Sequence, residues 1–283
     1  MNNKICLITG ATSGIGKETA KALSKMGATI VITSRNLEKG EIVKKEIIAF
    51  SNNANVEVIK CDLSSFSSIK ECVDLFKSKY SKLDVLINNA GIWETERKLS
   101  KDDIELNFAT NHLAPFLLTN LLLDTLKASP NSRIVNLASS AHKMGTINFD
   151  DLEAKNSFSS FRSYGQSKLA NILFTKKLAE LLNGTTVTAN CLHPGVVSTR
   201  LFDKMSSFQR SLFGMFMISP LKGAQTSIYL ASSPEVSHIS GEYFAKSKIS
   251  KSTAASKDMA VAEKLWNVSL EYVKNYLNEK SSS

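Results

Sequence analysis

The chain has 283 residues and a formal net charge of +9, from 35 Lys and Arg against 26 Asp and Glu. Apolar residues make up 43% of the chain and charged residues 22%. This composition excludes collagens, disordered tails and disulfide-stapled miniproteins, and it is typical of a globular protein with a large buried core.

Short apolar runs alternate with longer amphipathic segments along the whole chain. The runs are rich in Ile and Val, as in parallel strands that are covered on both faces. The predicted strands are Ile5–Thr9, Thr29–Thr33, Val56–Lys60, Val85–Asn88, Ile134–Leu137, Val187–Leu192 and Tyr243–Phe244. The predicted helices are Gly14–Met26, Glu38–Phe50, Ser65–Lys79, Lys101–Leu126, Phe161–Leu182, Lys222–Ala231 and Met259–Leu277. This alternation predicts a single α/β domain over residues 1–283, with a Rossmann-type, doubly wound, seven-stranded parallel sheet flanked by helices.

A glycine-rich turn follows the first predicted strand and leads into a helix. It reads Thr9–Gly10–Ala11–Thr12–Ser13–Gly14–Ile15–Gly16. Glycines at such a turn let backbone N–H groups approach a pyrophosphate at the positive end of the helix. The position of the turn therefore favours a dinucleotide site, and a plain tight turn is the alternative.

The end of the second predicted strand indicates which dinucleotide binds. It reads Ser34–Arg35–Asn36 and lacks the acidic residue that holds the ribose 2′-OH in NAD sites. The Arg35 guanidinium can instead pair with a 2′-phosphate. We therefore expect NADP(H) rather than NAD(H), and a surface arginine in a basic protein is the alternative.

Four polar residues form a candidate catalytic set. Tyr164 and Lys168 are four residues apart on a predicted helix, so their side chains share one face. Ser139 follows the fifth predicted strand and lies at the carboxyl edge of the sheet, where ligands bind in this architecture. Asn111 lies within a long predicted helix, although asparagine is a mediocre helix former.

Together these motifs resemble the short-chain dehydrogenase/reductase family, and the resemblance covers essentially the whole chain. The matching segments are Thr9-Gly10-x-x-x-Gly14-x-Gly16, Cys61–Asp62–Leu63, Asn88–Asn89–Ala90–Gly91, Asn111, Ser139, Tyr164-x-x-x-Lys168 and His193–Pro194–Gly195. Within the family, the segments Asn111–His112–Leu113, Ser140–Ala141–His142 and Ser167–Lys168–Leu169–Ala170–Asn171 resemble the retinol dehydrogenase-like branch.

The resemblance implies a role for each matching residue. Tyr164 would be the general acid/base, Ser139 would hydrogen-bond the substrate oxygen, and Asn111 would anchor a water leading to Lys168. Asp62 would contact adenine, and Thr199 would reach the nicotinamide amide. The remaining cofactor contacts that it implies are Gly10, Thr12, Ser13, Gly14, Ile15, Gly16, Ser34, Arg35, Leu63, Asn89, Ala90, Gly91, Tyr164, Lys168, Pro194, Gly195 and Val197.

A charge argument supports the role of Tyr164. A free tyrosine has a pKa near 10, so catalysis near neutrality needs a pKa lower by about 3. One positive charge about 4 Å away supplies roughly that stabilisation of the phenolate. We therefore expect Lys168, together with an oxidised nicotinamide, to lower the pKa of Tyr164.

The segment 199–219 is an insertion with ten large apolar residues, more than an exposed loop usually carries. We interpret it as a lid over a lipophilic substrate; a membrane-surface contact and a satellite core are the alternatives. Of the isolated side chains, His193 is predicted to make a structural hydrogen bond, His142 to border the substrate pocket, and Trp93 to line either the pocket or the core.

The sequence thus predicts an NADP(H)-dependent oxidoreductase acting on a lipophilic aldehyde, ketone or alcohol, such as a retinoid or steroid. An NADP(H)-sensing regulator without turnover and a sugar-nucleotide epimerase are the alternatives. We expect no metal and no nucleic acid partner, because ligand spacings and basic motifs are lacking. The widely spaced cysteines, the lack of a secretory signal and the lack of an 18-residue apolar run predict a cytoplasmic protein without a transmembrane helix. The resemblance implies a homodimer or homotetramer through the helices Lys101–Leu126 and Phe161–Leu182.

Overall fold

The strands of the protein form one sheet in the order β3-β2-β1-β4-β5-β6-β7-β8. The computed structural model describes residues 1–197 and 218–277. Within them the strands are β1 (Ile5–Ile8), β2 (Thr29–Ser34), β3 (Val56–Lys60), β4 (Val85–Asn88), β5 (Arg133–Leu137), β6 (Thr188–His193), β7 (Tyr243–Ala245) and β8 (Lys248–Ile249). The first seven are parallel, as predicted, and a short antiparallel strand that was not predicted, β8, lies at the edge.

Helices cover both faces of this sheet. They are α1 (Gly14–Lys25), α2 (Leu37–Ser51), α3 (Phe66–Lys79), α4 (Leu106–Phe108), α5 (Ala114–Leu121), α6 (Leu123–Lys127), α7 (Ser160–Leu181), α8 (Pro220–Ser232) and α9 (Met259–Leu277). A π-helical turn spans Ala109–Leu113, and 3₁₀ turns span Ser140–Met144, Pro234–Val236 and Ala255–Lys257. The prediction of one helix over Lys101–Leu126 was therefore wrong, because the segment begins as a loop and contains three short helices and the π turn.

The strands are apolar because helices cover both faces of the sheet. In β1, Cys6 and Ile8 belong to the core on the side of α1, α2 and α8, whereas Leu7 belongs to the core on the side of α3, α5, α7 and α9. All three side chains are buried. Since both faces need apolar residues, the strand is apolar without alternation.

The last helix, α9, lies against α5 and α7. Trp266 of α9 packs edge-on to Phe116 at 4.8 Å between ring centroids and stacks near Phe174 at 5.9 Å. A further contact joins His112 Nε2 to Ser269 Oγ at 2.9 Å. The faces of α5 and α7 that meet α9 are therefore covered by the chain itself.

The strand order reverses between β1 and β4, which opens a crevice at the carboxyl ends of these strands. The turns after β1, β4 and β5 all reach this edge. The predicted lid, 199–219, lies outside the described residues except for Ile218 and Ser219. None of the helices in the described ranges is long and apolar enough to cross a bilayer.

Candidate active site

A cavity of about 630 Å³ lies in the crevice. It is within the usual size range of small-molecule sites. The predicted site residues that line it are Gly10, Thr12, Ser13, Gly14, Ile15, Ser34, Arg35, Asp62, Leu63, Asn89, Ala90, Gly91, Tyr164, Lys168 and Pro194. The structure thus brings most of the predicted residues to one place.

The glycine-rich turn is fastened to the loop after β4. Gly10 has a φ of +64°, and a Cβ there would lie 2.8 Å from Ala90 Cα, so only glycine fits. The side-chain amide of Asn89 donates to the carbonyls of Thr9 and Gly10 at 2.8 and 3.1 Å. A Cβ on Gly16 would collide with the same amide. The lack of a side chain at Gly16 therefore lets Asn89 pack against the turn, and Gly16 itself does not line the cavity.

The N-terminus of α1 opens into the cavity. Its N-cap residue, Ser13, makes no side-chain capping bond, whereas the side chains of Asn36 and Ser65 cap α2 and α3. The backbone N–H groups of Gly14 and Ile15 belong to this first turn, and both residues line the cavity. An uncapped helix N-terminus favours an anion such as a phosphate.

Cationic side chains gather at the end of the cavity near β2. Arg35 follows β2, and Lys39, in the first turn of α2, also lines the cavity. Lys39 was not among the predicted residues, although it lies four residues after Arg35, at the start of a predicted helix. A phosphate at this end would meet two positive charges.

Asp62 lines the same cavity and pairs with a lysine. Burial raises the pKa of its carboxyl, but hydrogen bonds from Ser64 and Lys101 outweigh that effect and lower the pKa below its usual range. Lys101 Nζ lies 2.9 Å from Asp62 Oδ2. Lys101 belongs to the loop wrongly predicted as helix, and it too lines the cavity.

Tyr164 and Lys168 share one face of α7, as predicted, and both are buried. Lys168 Nζ lies 5.6 Å from the centre of the Tyr164 ring and donates to the Leu137 carbonyl at 3.2 Å. A Cβ on Gly91 would lie only 3.1 Å from Lys168 Nζ. The absence of a side chain at Gly91 thus leaves room for the ammonium.

Burial shifts the pKa values of Tyr164 and Lys168 in opposite directions. Burial raises the pKa of Tyr164 to about 12, and a hydrogen bond with Ser139 offsets this only in part. Burial lowers the pKa of Lys168 to about 8. Burial therefore dominates over the charge of Lys168, and the phenol holds its proton in this structure.

Ser139, which does not itself line the cavity, lies near enough to Tyr164 for its side chain to offset part of the rise in the pKa of the phenol. Ser139 is the N-cap of the 3₁₀ turn Ser140–Met144, and its Oγ accepts from Ala141 N at 3.2 Å. This turn packs on α7 through two glycines, since a Cβ on Gly145 would collide with the Gly165 carbonyl. The glycine contact sets how closely the serine approaches the phenol.

Asn111 lies in the π-helical turn, a distortion that is frequent at functional sites. Its Oδ1 accepts from Ile92 N at 2.8 Å, and its Nδ2 donates to Ile92 O at 2.9 Å and to Ser167 Oγ at 3.0 Å. Asn111 is fully buried and does not line the cavity. Its contacts hold the strand-4 loop against α7 beside Gly91.

Trp93 lines the cavity next to Tyr164. The two rings stack with 5.3 Å between centroids and 21° between planes. The Trp93 indole donates to Ser160 Oγ at 2.6 Å. Three further apolar residues complete this wall, namely Ile92, Leu99 and Leu106.

Several predicted residues lie elsewhere. Gly195, with a φ of +96°, packs against Ile218, and Val197 is buried against Gly223 rather than facing the cavity. His142 does not line the cavity either. Thr199 lies outside the described residues.

Comparison with known proteins gives a consistent family. Residues 4–210 match the family model described as short chain dehydrogenase. The chain is 43% identical to retinol dehydrogenase 12 of Mus musculus over 270 residues, covering 95% of this chain and 85% of that protein. It is 42% identical to human retinol dehydrogenase 14, covering 95% of this chain and 86% of that protein.

Solved structures share the fold. An uncharacterized protein from Mycobacterium paratuberculosis superposes with a TM-score of 0.80 and 32% identity, covering 96% of this chain and 94% of that one. A short chain dehydrogenase from Burkholderia cenocepacia, solved in complex with NADP, superposes with a TM-score of 0.70 and 26% identity, covering 86% of this chain and 96% of that one.

Proposed function

The chain belongs to the short-chain dehydrogenase family of oxidoreductases, and from this premise we propose that it transfers a hydride between NADP(H) and a lipophilic aldehyde, ketone or alcohol. The observation that carries the proposal is that Tyr164, Lys168 and the glycine-rich turn line one cavity, with the Ser139 side chain close to the phenol. A regulator that only senses NADP(H) would not need this arrangement, and no contact among the described residues favours it.

The cavity fits a nicotinamide dinucleotide. The uncapped N-terminus of α1 offers N–H donors to a pyrophosphate. Asp62 would accept from adenine, and Lys168, with three donors of which Leu137 O takes one, would hold the nicotinamide ribose. When bound, the nicotinamide gives or takes the hydride.

The protein's own residues would handle the proton. In the reductive direction Tyr164 donates its proton to the developing alkoxide of the substrate, and the Ser139 hydroxyl donates a hydrogen bond to the same oxygen. A phenol that is protonated in the free protein suits this step. In the oxidative direction the charge of Lys168 would stabilise the phenolate.

We propose a preference for NADP(H) because Arg35 and Lys39 line the end of the cavity near β2. Replacing Arg35 with Ala is expected to weaken NADPH binding about 10- to 100-fold, since a hydrogen bond to a charged group contributes about 1.5–3 kcal/mol. NADH binding should be unchanged. Calorimetric titration with both cofactors measures this, and Arg162→Ala, an exposed arginine outside the cavity, controls for the change in net charge. Equal losses for NADH and NADPH would contradict a 2′-phosphate contact.

The apolar wall of Ile92, Trp93, Leu99 and Leu106 supports a lipophilic substrate. The similar proteins named retinol dehydrogenases support retinoids as one such class. The test is a screen of retinal, long-chain aldehydes, steroid ketones and small polar carbonyls, followed by NADPH absorbance, with the matching alcohols and NADP⁺ for the reverse reaction. Turnover confined to polar substrates would refute the substrate class, and no turnover with any substrate would refute the enzymatic proposal.

Replacing Gly145 with Ala is expected to lower kcat at least about tenfold while the cofactor affinity changes little. The added Cβ collides with the Gly165 carbonyl, so the turn that carries Ser139 must move away from α7. Steady-state kinetics measure the effect. Gly184→Ala is the control, because a Cβ there meets open space and only the positive φ of +84° is strained. That variant should lose stability but not kcat, and an unchanged kcat in Gly145→Ala would contradict the spacing argument.

We also propose a cytoplasmic location, because Cys6, Cys61, Cys72 and Cys191 are all free and buried, as in reducing compartments. Contact with a membrane surface through the segment 199–219 is a separate prediction. The dimer or tetramer predicted through Lys101–Leu126 and Phe161–Leu182 also stays a prediction, and light scattering on the purified protein tests it. An interface there would have to use surfaces that α9 leaves open.

A further inference from the structure

Two histidines flank the peptide group between Ser139 and Ser140. The Ser140 N–H donates to Nδ1 of His193 at 3.1 Å. Nδ1 of His142 lies 2.6 Å from the Ser139 carbonyl oxygen and donates to it, because a carbonyl only accepts. The donor end and the acceptor end of one peptide group are thus each held by an imidazole ring. We call these two rings the histidine clamp.

Both histidines are held by strands of the sheet, His193 as part of β6 and His142 through a contact with β7. His193 is the last residue of β6 and pairs in register with Ala245 of β7. His142 is buried and meets the ring of Tyr243, also of β7, edge-on at 5.1 Å. Neither histidine, both within the described residues, lines the cavity. The clamp therefore lies behind Ser139 and touches the backbone that carries it.

The protonation states of the rings suit these bonds. Burial, together with the charges of His142 and Lys143, lowers the pKa of His193 to about 4. Burial also lowers the pKa of His142. Both rings are neutral near pH 7, with the proton on Nδ1 in His142 and on Nε2 in His193. Opposite tautomers at the two positions let one ring donate and the other accept.

We propose that His142 and His193 are positioning residues that fix the Ser139–Ser140 peptide group and, through it, the direction of the Ser139 hydroxyl towards Tyr164 and the substrate oxygen. The inference rests on the proposed function, since the direction of this hydroxyl matters only where Ser139 contacts a reacting oxygen. A rotated peptide group would displace the hydroxyl, and small displacements of a reacting group have large kinetic costs.

The test compares two substitutions at His193. In His193→Asn the amide Oδ1 can replace Nδ1 as the acceptor, whereas His193→Leu fills the space without an acceptor. We expect His193→Leu to lower kcat about tenfold, the effect of one hydrogen bond, with cofactor affinity within twofold of the wild type. His193→Asn should restore most of kcat. His238→Leu, at an exposed histidine, is the control and should match the wild type.

Amide hydrogen exchange of Ser140, followed by NMR, gives a readout that needs no turnover. The Ser140 amide should exchange at least about tenfold faster in His193→Leu than in the wild type and in His193→Asn. Should His193→Leu not fold, the pair His142→Asn and His142→Leu replaces it with the same kinetic expectation. These variants keep or remove the side-chain donor to Ser139 O, while the backbone N–H of residue 142 still donates to it at 3.1 Å in both. Equal exchange rates, or a kcat that is low in both variants or in neither, would overturn the inference. If the wild type turns over no substrate, the proposed function fails, and the clamp is then judged by exchange: faster exchange supports it and equal exchange refutes it.

Discussion

Replacing Tyr164 with Phe is expected to reduce kcat roughly 10³-fold, the usual loss when a general acid is removed. The substitution deletes only the hydroxyl, so the ring can keep its stack on Trp93 at 5.3 Å and the fold should be unaffected. Burial holds the pKa of this phenol at about 12 in the free protein, which makes it a proton donor for carbonyl reduction. The measurement is NADPH consumption with the best substrate of the screen, alongside calorimetric binding of NADPH, which should change less than threefold.

A second tyrosine provides the matched control. Tyr80 is partly buried, and burial together with Glu57 raises the pKa of its phenol to about 12 as well. Its hydroxyl donates to Glu57 Oε2 at 2.8 Å, outside the cavity. Tyr80→Phe should therefore keep the wild-type kcat. If Tyr164→Phe retained a tenth or more of the wild-type kcat, another group would have to supply the proton.

The strands were predictable because their burial leaves a simple signal. Strand β1 needs apolar residues at Cys6, Leu7 and Ile8 alike, and such continuous runs mark buried parallel strands. The edge strand β8 has two exposed residues and no such run. It follows a turn in which Lys246 and Ser247 both have positive φ, a geometry that usually shows itself through Asn-Gly or Asp-Gly. The Lys246–Ser247 turn has neither sequence, so β8 could not be predicted from it.

The broken helix near Asn111 had a partial signal. Pro115 stands near the start of α5, where a proline is tolerated, and its place inside the predicted helix indicated a break. The start of α4 depends on the Glu105 carboxylate, which accepts from Asn107 N and Phe108 N. Glutamate is not among the usual N-cap residues, so the sequence did not predict that a helix starts after Glu105. Because the helix starts only at α4, the residues before it form a loop, and this loop places Lys101 at the cavity.

The sequence predicted many of the residues that line the cavity, but it did not predict the effect of burial on their pKa values. Motif spacing placed Tyr164 and Lys168 on one face of a helix, and the structure shows them there. Spacing carries no information on desolvation, which depends on every chain segment that excludes water from the pair. Burial is why the pKa of Tyr164 is raised and that of Lys168 is lowered in the structure. The lower pKa of Tyr164 beside an oxidised nicotinamide stays a prediction. The same burial leads to an effect on stability.

Replacing Lys168 with Met is expected to stabilise the protein while lowering its activity about 10²–10³-fold. Burial lowers the pKa of this ammonium from 10.5 to about 8, so near pH 7 the folded protein carries a charge that the unfolded chain would solvate better. That difference corresponds to about 3 kcal/mol in the free energy of unfolding. Methionine has a similar length and no charge, and Leu137 O keeps a second donor in Asn171 Nδ2 at 3.1 Å. The carbonyl is therefore not left unpaired.

The destabilising effect of the Lys168 charge on the folded protein should depend on pH. Between about pH 8 and pH 10.5 the unfolded wild type binds a proton at Lys168 that the folded protein has lost, so this group makes the wild type more stable as the pH rises. Urea unfolding should give Lys168→Met a higher free energy of unfolding than the wild type at pH 7, and the difference should shrink towards pH 10.

Activity of Lys168→Met at pH 7 should fall about 10²–10³-fold, as expected for a lost electrostatic contact to the reacting groups. Lys45→Met, at an exposed lysine of α2, should show neither effect. A variant that is inactive but no more stable at pH 7 would mean that the charge of Lys168 costs the fold nothing, and a stable and active variant would remove Lys168 from the mechanism.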